Sequence, residues 1–216
     1  MEAIKMKIVK KLIKYNHSGV NKPQYIVIHE TGNADIGADA ERHYRYFNGG
    51  DRGASAHYVV DDKQVIQLVE HNVQSWHNGK KYVSNPAMPQ CNNSNSIGIE
   101  ICVNQDGDYS KAVAHATELT KKLMKELNIS AHKVIRHYDS CGKQCPAKML
   151  REPKIWLDFK KAIQEKQETK PQAPGWQISA TNIMCERFGL DINYWGTRID
   201  KPITVGEMMG VLEKIL

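Results

Sequence analysis

No stretch of this chain approaches the roughly 20 consecutive apolar residues that a membrane-spanning helix needs. The first residues, "MEAIKMKIVKKLIKYNHSG", alternate apolar residues with lysine. They lack the continuous apolar centre of a secretory leader. The expectation is synthesis in the cytoplasm without a Sec signal peptide. Cysteines are few and odd in number, five at irregular spacing, which argues against a disulfide framework and toward metal or reactive roles. There is no internal repeat. There is also no interleaving of basic and aromatic residues of the kind that binds nucleic acid, so no nucleic-acid partner is expected.

The 216 residues suit one medium domain and a small appendage, with ordinary globular fractions of 41% apolar and 25% charged side chains. The net charge of +6 favours polyanionic partners, anionic cell-wall polymers among them, although solvated surface lysines account for it equally well.

Hydrophobic patterning divides the chain. "YIVIH" (Tyr25 to His29) reads as a buried strand and "DAERHYRYFN" as a helix. "SAHYVVDDKQVIQLV" reads as a hairpin turning at Asp61 to Gln64, and "SIGIEICV" (Ser96 to Val103) as another buried strand. Ala112, Val113, Ala116, Leu119, Leu123 and Leu127 form a helical stripe. "KVIRH" (Lys133 to His137) is a short strand, and "EPKIWLDFKKAIQEKQ" a helix with Pro153 in its first turn. The interleaving predicts an α/β fold: a central mixed sheet flanked by helices over residues 1–165. Residues 166–175 are polar with two prolines and read as a linker. Residues 176–216 read as a small helical module. It contains a capping box at Thr204 to Glu207 and an apolar face of Val205, Met208, Met209, Leu212, Ile215 and Leu216.

One decapeptide, "HYDSCGKQCP" (His137 to Pro146), concentrates ligands and nucleophiles. It suits a disulfide loop, a redox pair or part of a metal site. Its C-x3-C spacing is not the redox C-x-x-C. His29 and His137 each close a strand, where active-site groups of α/β sheets gather. Each could equally be a cap bonded to backbone. A third ligand could come from Asp139, Cys141 or Cys145, with Gly142 allowing the chain to fold back. Glu100 shares a strand face with Gly98 and Cys102, opposite Ile97, Ile99 and Ile101. A carboxylate in that run is either a general base or one member of a solvated face. Lys143 is a candidate cation near a developing oxyanion, or a surface lysine.

Five segments in order, "IVIHETGN", "SAHYVVDD", "SWHNG", "SIGIEIC" and "RHYDSCGKQCP", resemble the zinc-dependent N-acetylmuramoyl-L-alanine amidases of the type-2 amidase family. That family includes bacteriophage lysozyme-like amidases and animal peptidoglycan-recognition proteins. The resemblance covers about residues 20 to 165. It implies one zinc ion per chain held by His29, His137 and Cys145, Glu100 as acid–base, and Lys143 as stabiliser of the tetrahedral intermediate. It implies that His57, Trp76 and His77 line the substrate groove. Cys141 departs from the family, which usually has a small hydroxyl or apolar residue there. The implied reaction cuts the bond between N-acetylmuramic acid and L-alanine in peptidoglycan. A receptor without catalysis is the rival, but such relatives commonly lack a ligand. The tail resembles, more loosely, short wall-attachment modules of lytic enzymes. That favours a lysin acting on the wall after release over a cytosolic enzyme recycling wall fragments.

Overall fold

In the computed structural model the described residues are 6–164 together with 184–186, 189, 190, 195, 207, 209–211 and 213. The chain divides into two compact units, Met1–Glu165 and Lys166–Leu216.

The first unit is built on a six-stranded sheet in the order β1-β5-β4-β7-β3-β8. Its strands are β1 (Ile8–Lys10), β3 (Tyr25–Glu30), β4 (Tyr58–Val60), β5 (Val65–Gln67), β7 (Ser96–Ile101) and β8 (Val134–Arg136). A two-stranded antiparallel ribbon joins β2 (His17–Val20) to β6 (Val73–Ser75). The sheet is mixed. β4, β7, β3 and β8 run parallel, and β5 returns antiparallel to β4 through the expected turn, closed by Asp61 N–H donating to the Gln64 carbonyl at 3.0 Å. The Asp61 carboxylate completes that turn, accepting from the backbone N–H groups of Lys63 and Gln64, each at 2.7 Å.

Helices cover both faces, as a sheet whose central strands are apolar throughout requires. Ile26 and Ile28, with Ile97, Ile99 and Ile101, point to one face. There they meet Ala112, Ala116, Leu119 and Leu123 of α2 (Tyr109–Leu127) and Phe159 and Ile163 of α5 (Pro153–Gln164). Val59, Ile66 and Cys102 point the other way, against Ala40 and Phe47 of α1 (Ala40–Asn48). The caps are set by sequence. Asp39 accepts from Arg42 N–H at 2.9 Å, Asp108 accepts from Lys111 N–H at 3.1 Å, and α2 ends on Asn128 in the left-handed region.

One difference from the sequence reading matters. The strand through "KVIRH" stops at Arg136, and His137 begins a short helix, α3 (His137–Cys141). Asp139 pulls the chain into that helix by accepting from Arg136 N–H at 2.9 Å while gripping its guanidinium at 2.7 and 3.1 Å. The decapeptide is therefore a helical turn followed by a reversal at Gly142 (φ 84°), leading into α4 (Ala147–Arg151). The expected linker 166–175 lies outside the described residues, as do Thr204 and most of the expected module. Among the described residues there, 184–186, 195, 207, 209–211 and 213 are helical.

Candidate metal centre

The parallel strands deliver the site. Register pairs His29 with Glu100 across β3 and β7, and Ile28 with Arg136 across β3 and β8. His29 and Glu100 therefore emerge side by side at the carboxyl ends of their strands, on the face opposite α2. The residue after Arg136 is His137, whose ring lies 4.3 Å from that of His29, centre to centre. The reversal at Gly142 brings Cys145 back to the same point, with Sγ 3.9 Å from His29 Nδ1. One ligand atom each of His29, His137 and Cys145 lies within 4.8 Å of the other two, and all three residues are buried. The peptide bond from Cys145 to Pro146 is cis.

The electrostatics suit a cation. Burial, followed by the neighbouring His137, His77 and Lys143, holds His29 well below the usual imidazole range. Burial likewise takes His137 down to about 4, with Lys143 and Lys81 adding to it. Both rings are therefore neutral and present lone pairs. Burial and the nearby Glu100 push the Cys145 thiol up to about 12, against the opposing pull of Glu30 N–H, which donates to Sγ at 3.4 Å. Such a thiol ionises only beside a cation. Two buried polar atoms at the site have no protein partner, His137 Nδ1 and Glu100 Oε2. Buried polar atoms are almost always satisfied, so unpaired ones at one spot mark where an ion or water belongs.

Glu100 Oε1 is 3.9 Å from His29 Nδ1, and its side chain retains 16% exposure. Burial raises its carboxyl to about 7, with Glu30 adding and Lys143 opposing. Lys143 is exposed and lines a hollow with His137, Trp76, His77, Lys80 and Tyr82. A second hollow, lined by Glu100, Arg42, His43 and Tyr46, shares Ala54 with the first. His137 and Lys143 thus border one depression and Glu100 the other, and the two share one wall residue.

The groove residues implied by the resemblance divide. Trp76 is half-buried in the first hollow, its indole N–H donating to Ser18 Oγ at 3.2 Å. His77 borders that hollow but is buried, with Nδ1 3.0 Å from His29 Nε2 and Nε2 3.2 Å from Ser96 Oγ. His57 is placed differently from the groove role: it is 0% exposed and shut inside the sheet face. Its Nδ1 accepts from Gly98 N–H at 3.0 Å and its Nε2 donates to the Val73 carbonyl at 3.0 Å. A ring with both nitrogens engaged and no exposed surface is a brace, out of a substrate's reach. Cys141 is fully buried in α3, Sγ donating to the His137 carbonyl at 3.3 Å, and all five cysteines are free.

Sequence reasoning missed Glu30. Its carboxylate accepts from Tyr109 Oη at 2.5 Å and from Lys148 N–H at 2.9 Å, tying α2 and α4 to the strand end that carries His29. A charged residue directly after a buried "YIVIH" was the available signal.

Residues 19–148 match the Amidase_2 family, N-acetylmuramoyl-L-alanine amidase. The chain belongs to that family. Among amidases of Bacillus subtilis (strain 168), this member is 43% identical over 141 residues to N-acetylmuramoyl-L-alanine amidase XlyA, covering 65% of this chain and 44% of the relative. It is 37% identical over 156 residues to N-acetylmuramoyl-L-alanine amidase CwlH, covering 70% and 59% respectively. The chain thus spans about half the length of these curated relatives. A solved mutant endolysin from Bacillus subtilis superposes with a TM-score of 0.64 at 42% identity, covering 73% of this chain and 99% of that one. The family foreseen from the five motifs is the one found, and the mixed sheet flanked by helices is its fold. Among the described residues, no helix of this amidase-family chain is long and apolar enough to cross a membrane.

Proposed function

We propose that this protein is a zinc-dependent N-acetylmuramoyl-L-alanine amidase that cuts the amide between N-acetylmuramic acid and L-alanine in bacterial peptidoglycan. The observation that carries the reading is the convergence of His29, His137 and Cys145 within 4.8 Å at the carboxyl end of the parallel strands, in a chain of this family. Two imidazoles and a thiolate are a donor set zinc accepts, with a fourth tetrahedral position left for chemistry. One zinc ion per chain would be held by those three residues, and when bound it supplies Lewis acidity toward a carbonyl and toward water.

The chain's own residues do the rest. Glu100, beside His29 and raised to about 7, is balanced between taking and returning a proton near neutrality. It draws a proton from the attacking water and hands one to the departing alanine nitrogen, so glycan and peptide separate. Lys143 brings positive charge to the mouth of the site and favours the oxyanion. The two hollows that border the site, which share Ala54, offer room for substrate, with Trp76 and Tyr82 forming apolar walls of the first.

Retention of all three ligand residues favours an enzyme over a receptor. Residues 1–165 are proposed as the catalytic domain, 166–175 as linker and 176–216 as a helical module for wall attachment or self-association. Action on the cell wall after release, as an endolysin or autolysin, follows from that arrangement. The basic surface adds attraction to anionic wall polymers.

The deciding experiment incubates the full chain with purified peptidoglycan, with and without chelator, and identifies new ends by mass spectrometry. New muramic-acid carboxyls paired with free alanine amines, lost on chelation and restored by zinc, are the expected result. Cleavage at a glycosidic bond, or cleavage indifferent to chelator, would overturn the assignment.

A further inference from the structure

His29 does not stand alone behind the cluster. Its Nε2, on the side away from Cys145, lies 3.0 Å from His77 Nδ1. His77 Nε2 lies 3.2 Å from Ser96 Oγ, and Ser96 Oγ donates to the Asn92 carbonyl. The two histidine contacts are buried and the Ser96–Asn92 contact is part-buried, and the direction of each can be deduced. The Asn92 carbonyl can only accept, so the single hydroxyl proton of Ser96 is committed to it. Ser96 Oγ can then serve His77 only as an acceptor, and His77 Nε2 must carry a hydrogen. A neutral His77 with hydrogen on Nε2 has a bare Nδ1, which can only accept. His29 must therefore donate from Nε2, which leaves its Nδ1 bare. Nδ1 is the atom 3.9 Å from Cys145 Sγ and 3.9 Å from Glu100 Oε1.

We propose that His77 is a positioning residue: the relay Asn92–Ser96–His77 fixes His29 in the Nε2–H tautomer and aims its Nδ1 lone pair into the metal cluster. The backbone is cut to fit. A Cβ on Gly98 would stand 2.6 Å from His77 Cγ, so glycine at the centre of β7 makes the seat in which the ring lies. His77 N–H is also held, by Asn93 Oδ1 at 3.0 Å. Histidine ligands to metals commonly donate their second nitrogen to a fixed acceptor, which orients the ring and raises its basicity, and losing the acceptor typically costs about 10–100-fold in metal affinity. Here the acceptor is a second imidazole whose own tautomer is set one step further back. This inference rests on the zinc-amidase reading for its consequence, but not for its geometry.

The test uses the full chain. In metal-free wild type, 15N NMR of the imidazoles reads the tautomers directly. His29 and His77 are both expected as Nε2–H, and a His29 carrying its hydrogen on Nδ1 would overturn the proposal. Zinc affinity by chelator competition is then compared among wild type, His77→Leu, His77→Asn and Ser96→Ala. His77→Leu should lose about 10–100-fold. His77→Asn, whose side-chain oxygen can stand near the former Nδ1, should recover part of that loss. Ser96→Ala should weaken zinc binding less and allow both His77 tautomers. Undiminished affinity in a folded His77→Leu would sink the idea. Should that variant not fold, Ser96→Ala and the wild-type spectra still decide. If wild type bound no zinc, the enzymatic reading would fail while the tautomer measurement still judged the relay.

Discussion

At the scale of single residues the site sets function against stability. Glu100 has a folded-state value near 7 in place of the ordinary 4.5, because burial disfavours its charged form. A raised carboxyl binds its proton more tightly in the folded chain than in the unfolded one. Stability of the metal-free protein is therefore lost as pH rises from 4.5 to 7, and the full penalty applies above that. The shift corresponds to at most about 3 kcal/mol. Glu100→Gln removes the penalty. Urea unfolding of metal-free protein should show the variant up to about 3 kcal/mol more stable than wild type at pH 8, with the difference vanishing near pH 4. The same substitution should cut peptidoglycan cleavage at least about 100-fold while zinc remains bound, read by mass spectrometry of the released peptides and by metal analysis. A variant that cleaved at wild-type rate would remove Glu100 from the mechanism.

At the scale of elements, the turn between α3 and α4 carries Lys143 and Cys145, and it hinges on Gly142. Its φ of 84° lies where side chains are strained, and a Cβ there would stand 2.6 Å from the Val83 methyls. Gly142→Ala should cost about 1–3 kcal/mol in thermal unfolding and lower cleavage further by displacing Lys143 and Cys145. Combining it with Val83→Ala should restore part of both losses, since the two positions touch, and simple additivity in a double-mutant cycle would show that the clash is not the cause. How legible such elements are depends on where their information lies. The strands Tyr25–Glu30 and Ser96–Ile101 and helix α2 show in the sequence because each carries its own apolar period. Strands β1, β2 and β6 do not. They are three or four residues long, partly exposed, and defined by partners far along the chain, as His17 is by Ser75. His137 reads as a strand end from its apolar neighbours, yet Asp139 and the Arg136 guanidinium turn it into a helix start. That is a side-chain contact no periodicity encodes. The convergence of His29, His137 and Cys145 was legible through the motifs, whereas the inward fate of His57 and His77 was not, because a histidine beside a groove and one beneath it have the same sequence.

At the scale of the whole molecule, the first unit gathers four neutral histidines, His29, His57, His77 and His137, all held below 6.5 by burial. Unfolding frees them to take up protons, so stability of the metal-free protein should fall as pH drops below 6.5 and continue falling toward the range near 4. Acid unfolding at pH 5 should bind more than two protons per molecule, measured from the pH slope of the unfolding free energy, and a slope near zero would contradict the buried cluster. Charge is divided just as unevenly. Residues 166–216 hold six basic and six acidic side chains, so the whole net charge of +6 resides in residues 1–165. On the proposed reading, electrostatic attraction to an anionic wall would therefore belong to residues 1–165, and it is screened within about 8 Å at physiological salt. Wall attachment by the neutral tail would have to rest on specific contacts that salt scarcely weakens. Residues 1–165 form a compact unit, and a solved Bacillus subtilis endolysin chain is matched over 99% of its length by 73% of this chain, so the fragment 1–165 is the one to test by itself. That fragment should cleave purified peptidoglycan with unchanged chelator sensitivity, and its wall binding in pull-down should disappear by about 0.5 M salt, where the screening length has roughly halved. The full chain should keep a salt-resistant share of binding. Identical salt profiles for fragment and full chain would remove wall attachment from residues 176–216, and a concentration-dependent sedimentation coefficient confined to the full chain would assign them to self-association instead.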